Sequence, residues 1–178
     1  MLASFVSLAQ AQSNEIKGRV IGLPGCCYSV GLGYENHFSK RFSGQLLFVK
    51  YGSNLGADAS TYATSALIPE LKVYLLKKKR WSPFAGVFFE KVWKSDSGGG
   101  ECEVCESSKS WENNVGLDIG QNLPLGKRFG LEFYGGPKWR NGTTETQTYY
   151  VLSNLETNET ADYQKFGWRL GWNIRFIF

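Results

Sequence analysis

The sequence predicts an all-β protein, an eight-stranded antiparallel up-and-down transmembrane β-barrel, on three observations. Apolar and polar residues alternate with a period of two through most of the chain, as strands with one apolar face require. Aromatic residues make up 15 % of the chain, and there are 21 glycines against 5 prolines, which suits tightly curved sheets. No apolar run approaches the ~20 residues that a membrane-spanning helix needs.

The clearest alternation lies at the end of the chain. One face of this segment is large and apolar: Phe166, Trp168, Leu170, Trp172, Ile174, Phe176 and Phe178. The opposite face is charged, polar or glycine: Lys165, Gly167, Arg169, Gly171, Asn173 and Arg175. The same pattern recurs in 28–35, 70–75, 111–123 and 128–140, whereas 42–51 and 82–93 alternate less cleanly and their faces stay unassigned.

Two architectures use such strands. A soluble lipocalin-like barrel buries its large apolar residues, whereas a membrane barrel turns them to lipid and keeps polar residues inside. Aromatic residues near the ends of the apolar faces are typical of interfacial girdles, and a face of glycine and charge suits a narrow interior. These features favour the membrane barrel, with the lipocalin-like barrel as the alternative.

The lengths of the connections predict the strand count and orientation. Tight connections are expected at 36–41, 77–80 and 124–127, and longer ones at 52–60, 95–109 and 141–161. Outer-membrane barrels have short periplasmic turns and longer external loops. If the last strand ends in the periplasm, the three tight connections are periplasmic. A first strand at 15–23 then completes eight.

The first residues predict export. Residues 1–12 combine a short apolar stretch with small residues at Ala9 and Ala11, which is typical of the end of a signal peptide. The alternative is a frayed N-terminal strand. We therefore predict a residual signal peptide at 1–12, a barrel domain at 13–178 and a location in the bacterial outer membrane.

Alternation turns ten charged side chains toward the lumen, and Glu90 is a further candidate. They are Glu35, Glu70, Lys72, Asp118, Glu132, Lys138, Arg140, Lys165, Arg169 and Arg175. Charges in so narrow a space must be paired or hydrated, because an isolated buried ion costs several kcal/mol. We interpret them as a salt-bridged plug, since side chains roughly fill an eight-stranded interior. The alternative is a path for protons or ions.

The remaining candidates for chemistry are few. Cys102 and Cys105 are a candidate loop disulfide, as expected in an exported protein. Cys26 and Cys27 are either cross-linked to that loop or small strand residues. We predict no metal site, catalytic residue or cofactor, because the only histidine, His37, lies at the opposite end from this loop. The net charge of +4, without a basic aromatic surface, argues against nucleic acid.

Two stretches resemble a family of small outer-membrane barrels common in Bacteroidota, many of unknown function. They are NEIKGRVIGLPGCCYSVGLGYENHFSKR and LIPELKVYLLKKKRWSPFAGVFFEK. The terminal IRFIF, with Phe176 and Phe178, resembles the aromatic-ended signal that the outer-membrane insertion machinery reads. The resemblance implies outer-membrane lipid and this machinery as partners, and it brings no catalytic residues.

The function expected from these features is a structural or interaction role. The lumen is expected to be plugged, so the external loops are the expected contact surface for a protein partner. Both 95–109 and 141–161 are rich in acidic residues, which indicates either a binding surface or ordinary solvated loops. We predict that the chain is not an enzyme. The alternatives are a narrow passive channel and a lipid-modifying outer-membrane enzyme.

Overall fold

A computed structural model describes residues 14–23, 27–53, 61–76, 82–97, 104–150 and 155–178. The strands are β1 (Asn14–Leu23), β2 (Cys27–Asn36), β3 (Phe42–Ser53), β4 (Thr61–Tyr74), β5 (Ser82–Ser97), β6 (Val104–Pro124), β7 (Phe129–Tyr150) and β8 (Leu155–Ile177). They form a closed barrel in chain order, and each strand is antiparallel to its neighbours. The predicted eight-stranded antiparallel barrel is confirmed. Among the described residues, no helix is long and apolar enough to span a membrane.

The barrel has large apolar side chains on its outer surface and charged side chains in its interior. Leu170 is 80 % exposed on the outer surface, whereas Lys17 and Glu35 are completely buried in the interior. Other large apolar side chains on the outer surface include Leu32, Leu71, Val115, Leu117, Ile119, Trp139, Phe166 and Trp168. A soluble barrel would bury these residues, so the distribution is that of a barrel surrounded by lipid.

Strands β3 and β5 carry apolar residues on both faces, which explains their unclear alternation. Leu47, Val49 and Phe88 point into the lumen and are almost completely buried. They pack in one cluster with Ala66, Ile68 and Val92. The side of the lumen formed by β3, β4 and β5 is therefore partly apolar. These two strands, whose faces the sequence left unassigned, therefore add an apolar side to an interior that is elsewhere rich in glycine and charge.

Glycines on β6 make room for the inward phenylalanines of β5. Phe88 is paired with Gly116, and Phe84 is paired with Gly120. A Cβ atom at Gly116 would lie 2.6 Å from the Cζ atom of Phe88, so the ring occupies the space of the missing side chain. This large-to-small pairing lets two aromatic rings fit inside a narrow barrel.

The barrel is much taller on one side. Strands β1 to β4 have 10 to 14 residues, whereas β6, β7 and β8 have 21, 22 and 23. The expectation of long loops at 95–109 and 141–161 was wrong for most of these residues. Strand β7 pairs with β8 up to Tyr150 and Leu155, and β5 pairs with β6 up to Ser97 and Ser107. We call residues 104–110, 140–150 and 155–165 the outer extension.

The first and last strands close the ring over a short ladder. Residues 15–18 pair with residues 174–177, and the amide of Phe178 donates to the carbonyl of Asn14 at 3.1 Å. The rings of Phe176 and Phe178 stack on the outer surface, with centroids 6.3 Å apart. We call this end of the barrel, with Asn14 and Phe178, the terminal end. The predicted signal peptide at 1–12 lies outside the described residues, so the domain boundary stays a prediction.

The outward apolar band can be tested with two leucines of β8. Leu170 lies within the band, whereas Leu155 is 53 % exposed in the outer extension. In phospholipid vesicles, we expect Leu170→Arg to destabilise the barrel by up to about 2–4 kcal/mol, because it places a charge on the lipid-facing surface. Leu155→Arg should change the free energy of unfolding by less than about 0.5 kcal/mol. Urea unfolding followed by tryptophan fluorescence measures both, and equal effects would contradict a lipid-facing band.

Candidate functional site: the charged lumen

A buried ion cluster crosses the lumen near the terminal end. Glu132 of β7 accepts hydrogen bonds from Lys17 of β1 and, at 2.7 Å, from Lys72 of β4. Lys17 also pairs with Glu35 of β2, and these four side chains are buried completely or almost so. Strands β1, β4 and β7 lie on different sides of the ring, so the cluster spans the cross-section. Two cations and two carboxylates neutralise one another there.

Neutral groups complete the hydrogen bonding of this cluster. Glu35 accepts from the hydroxyls of Ser43 and Tyr74, each at 2.5 Å. Asn173 donates to Glu132 at 2.8 Å, and Lys72 donates to the amide oxygen of Gln45 at 3.0 Å. Buried charges are tolerated when their remaining lone pairs and protons are satisfied in this way.

A second ion pair lies at the terminal end itself. Arg175 donates to both carboxylate oxygens of Glu15, at 2.8 and 2.6 Å. The Nε2 atom of His37 lies 2.9 Å from Glu15 and 3.3 Å from Glu35. The ligand atoms of these two glutamates and this histidine lie within 4.8 Å of one another. Both carboxylates are already paired with cations, so the geometry favours ion pairing over metal binding.

The middle of the lumen contains two arginines with different partners. Arg169 pairs with Asp118 and, at 3.3 Å, with Glu70. Its guanidinium also lies over the ring of Phe88, with the Cζ atom 4.2 Å from the centroid. Among the described residues, Arg19 donates to Asn173 at 3.3 Å and to the Tyr51 hydroxyl at 3.4 Å. Among the described residues, no carboxylate lies within ion-pair distance of Arg19.

A third group of charges lies where the lumen meets the outer extension. Glu112 accepts from Lys94, from Arg140 at 2.7 Å and from the Tyr163 hydroxyl at 2.6 Å. Burial and the hydrogen bond to this carboxylate raise the pKa of Tyr163 to about 12, so its hydroxyl stays a donor at neutral pH. Glu90 accepts nearby from Lys138 at 2.8 Å and from Asn114 at 2.9 Å.

Most of the predicted lumen charges are brought together. Seven of them are buried: Glu35, Glu70, Lys72, Asp118, Glu132, Arg169 and Arg175. Lys138 and Arg140 are half-buried and paired, and the unassigned Glu90 is buried as well. The structure differs for Lys165, which is exposed, with its Nζ atom 5.3 Å from the centroid of the Tyr163 ring. It lies in the outer extension, beyond the short β1–β8 ladder that closes the ring.

Four buried charges were missed by the sequence reasoning. Glu15, Lys17 and Arg19 face the lumen from β1, and Glu112 faces it from β6. The signal was present, because these three β1 residues alternate with Ile16 and Gly18. Glu112 likewise continues the polar face formed by Asn114, Gly116 and Asp118. A period of two applied to the full length of both strands would have found all four.

Of the two cysteines in the predicted loop disulfide, the structure describes Cys105. Cys105 is disulfide-bonded. Cys102 lies outside the described residues, so the pairing of Cys102 with Cys105 stays a prediction.

Comparison with known proteins places the fold. The barrel is similar to a major outer membrane protein from Thermus thermophilus, with a TM-score of 0.63, 11 % identity and 95 % of this chain and 100 % of that chain covered. It is also similar to Neisserial surface protein A, with a TM-score of 0.50, 13 % identity and coverage of 94 % and 95 %. No protein-family model and no curated protein sequence matches the chain. The resemblance to a Bacteroidota family therefore stays a prediction. The fold is shared with outer-membrane β-barrels, and with the outward apolar band it agrees with the predicted location.

Proposed function

We propose that the chain is an outer-membrane β-barrel protein with a closed lumen, which acts through its outer extension as a structural or interaction protein. The observation that carries the closed lumen is the contact of Lys17 and Lys72 with Glu132. Side chains from β1, β4 and β7 meet there within hydrogen-bond distance. An ion crossing the membrane would have to separate these charges inside a space that side chains already fill.

The outer extension supports the proposed interaction role. It is a paired antiparallel sheet in which Thr143 donates to Asp162 at 2.6 Å and Gln147 donates to Glu156. At its tip, Tyr149 and Tyr150 are each 38 % exposed, next to exposed Leu155. Aromatic residues are enriched where proteins bind one another. An ordered polar sheet with an aromatic tip is therefore the proposed contact surface for a protein partner.

The other proposed partners belong to the membrane. The outward apolar band would lie against outer-membrane lipid. Phe176 and Phe178, which stack on the outer surface at the end of β8, would be read by the insertion machinery during biogenesis. The alternatives are a narrow passive channel, which requires the crossing ion cluster to part, and a lipid-modifying enzyme. The channel is the alternative that electrical measurement separates directly.

A planar bilayer tests the closed lumen. We expect the inserted wild-type barrel to carry no steady ionic current, because the Lys17, Lys72 and Glu132 side chains block the cross-section. Heat-dependent mobility on a denaturing gel and protection from protease confirm that the barrel is folded and inserted. A steady current that grows with the number of inserted barrels would instead establish the channel.

The ion cluster also predicts a large effect on stability. Lys72→Met leaves Glu35 and Glu132 with one cation fewer, so we expect the free energy of unfolding to fall by about 3–5 kcal/mol. Lys40→Met is the control, because Lys40 is exposed in the β2–β3 turn and should contribute less than about 0.5 kcal/mol. Urea unfolding in vesicles measures both variants. Similar values for the two would mean that the cluster does not hold the lumen together.

The outer extension can be tested in intact cells with a photo-cross-linking residue. Placed at Tyr150, it should form adducts with another protein, because this position is at the exposed tip. Placed at Leu170, it should form adducts with lipid and none with protein, because this position is in the apolar band. Mass spectrometry of the adducts distinguishes the two, and protein-free spectra at Tyr150 would contradict the interaction role.

A further inference from the structure

The unusual charge of the lumen is Arg19. It is 4 % exposed, and the two hydrogen bonds that it donates to described side chains go to neutral groups at 3.3 and 3.4 Å. Its Nη2 atom has no hydrogen-bond partner among the described residues. A buried guanidinium without a counter-charge is costly, because burial removes the water that stabilised it. Every other lumen cation described has a carboxylate within ion-pair distance.

Two further groups near Arg19 also need an acceptor. The Nη2 atom of Arg169 and the hydroxyl of Tyr134 are buried without a hydrogen-bond partner among the described residues. The Cζ atoms of Arg19 and Arg169 lie 5.5 and 4.6 Å from the centre of the Tyr134 ring. Guanidinium nitrogens only donate hydrogen bonds, so neither arginine can satisfy the other.

Gly171 shows where two of these groups converge. A Cβ atom at Gly171 would lie 2.4 Å from the Tyr134 hydroxyl and 2.8 Å from the Nη2 atom of Arg19, so it would clash with both. Both atoms therefore approach one point on β8 that carries no side chain. The β1–β8 ladder ends next to it, since Gly18 and Ile174 are the last pair in that direction. The point is inside the barrel and beside the least paired part of its wall.

We propose that Arg19, Arg169 and Tyr134 bind one small monovalent anion, of the size of chloride, in the lumen beside Gly171. Such an anion would accept from the unpartnered nitrogen of Arg19 and from the Tyr134 hydroxyl, and it would neutralise the Arg19 guanidinium, which has no counter-charge among the described residues. Water is the competing occupant, but it would leave that charge uncompensated. The proposal goes beyond the interaction role and does not depend on it.

The effect of chloride on stability tests this site. The full chain is folded in detergent micelles, and isethionate, a much larger monovalent anion, is replaced by chloride at constant ionic strength. We expect the thermal midpoint to rise saturably, by about 2–4 °C at a concentration about five times the dissociation constant. Constant ionic strength keeps the screening of surface charges unchanged. A midpoint that does not depend on chloride would overturn the proposal.

Variants assign the effect to the site. Arg19→Gln should lose the chloride dependence, and Gly171→Ala should weaken it, because its Cβ atom would displace the Tyr134 hydroxyl and the Arg19 nitrogen that donate to the anion. Gly167→Ala is the matched control on the same strand, since its Cβ atom would make only an ordinary contact, 3.5 Å from Arg140. If Arg19→Gln does not fold, the two alanine variants decide. Chloride dependence that persists equally in Gly171→Ala and Gly167→Ala would place the anion elsewhere.

Crystals soaked in bromide give an independent readout. We expect an anomalous peak within hydrogen-bond distance of the Arg19 Nη2 atom and the Tyr134 hydroxyl. A water molecule at this position, without anomalous signal, would overturn the proposal even if chloride stabilises the protein by another route.

Discussion

The narrow cross-section of an eight-stranded ring is the constraint on which the rest of this structure depends. Its interior has room for side chains and little else, so every inward residue must find a partner on another strand. Glu132 meets this requirement by joining Lys17 and Lys72 across the lumen. The same limit explains why Phe84 and Phe88 lie opposite glycines rather than larger residues.

The two halves of the interior meet that constraint in different ways. On the β3–β5 side, Leu47, Ile68 and Phe88 fill space by apolar packing, which needs shape but no particular partner. Elsewhere, charges fill it in pairs, and each pair fixes the relative position of two strands. Arg175 holds β8 to β1 through Glu15, and Arg169 holds β8 to β6 through Asp118. The apolar residue types of the outer surface, by contrast, suit contact with lipid and need no specific partner.

Sequence reasoning reached the strands with one apolar and one polar face, because a period of two is visible there. It placed Arg169 and Arg175 inside and found the turns at 36–41 and 124–127. It failed on strands where the polarity of a residue does not indicate whether its side chain is buried. Strands β3 and β5 carry apolar residues on both faces, and the outer extension carries polar residues on both, so neither alternates cleanly. Lys165 obeys the period yet lies outside the ring, and the isolation of Arg19 depends on contacts between distant strands.

The short ladder between β1 and β8 has a consequence for how the barrel is made. Its two strands are the first and last in the ring, so the contacts that complete the wall have the greatest separation along the chain and close the longest loop. Without this pairing, β8 would offer an unpaired edge to a neighbouring strand. The pairing of Glu15 with Arg175 joins the same two strands by charge. This ion pair therefore favours the pairing of β8 with β1 over its pairing with a strand of another molecule.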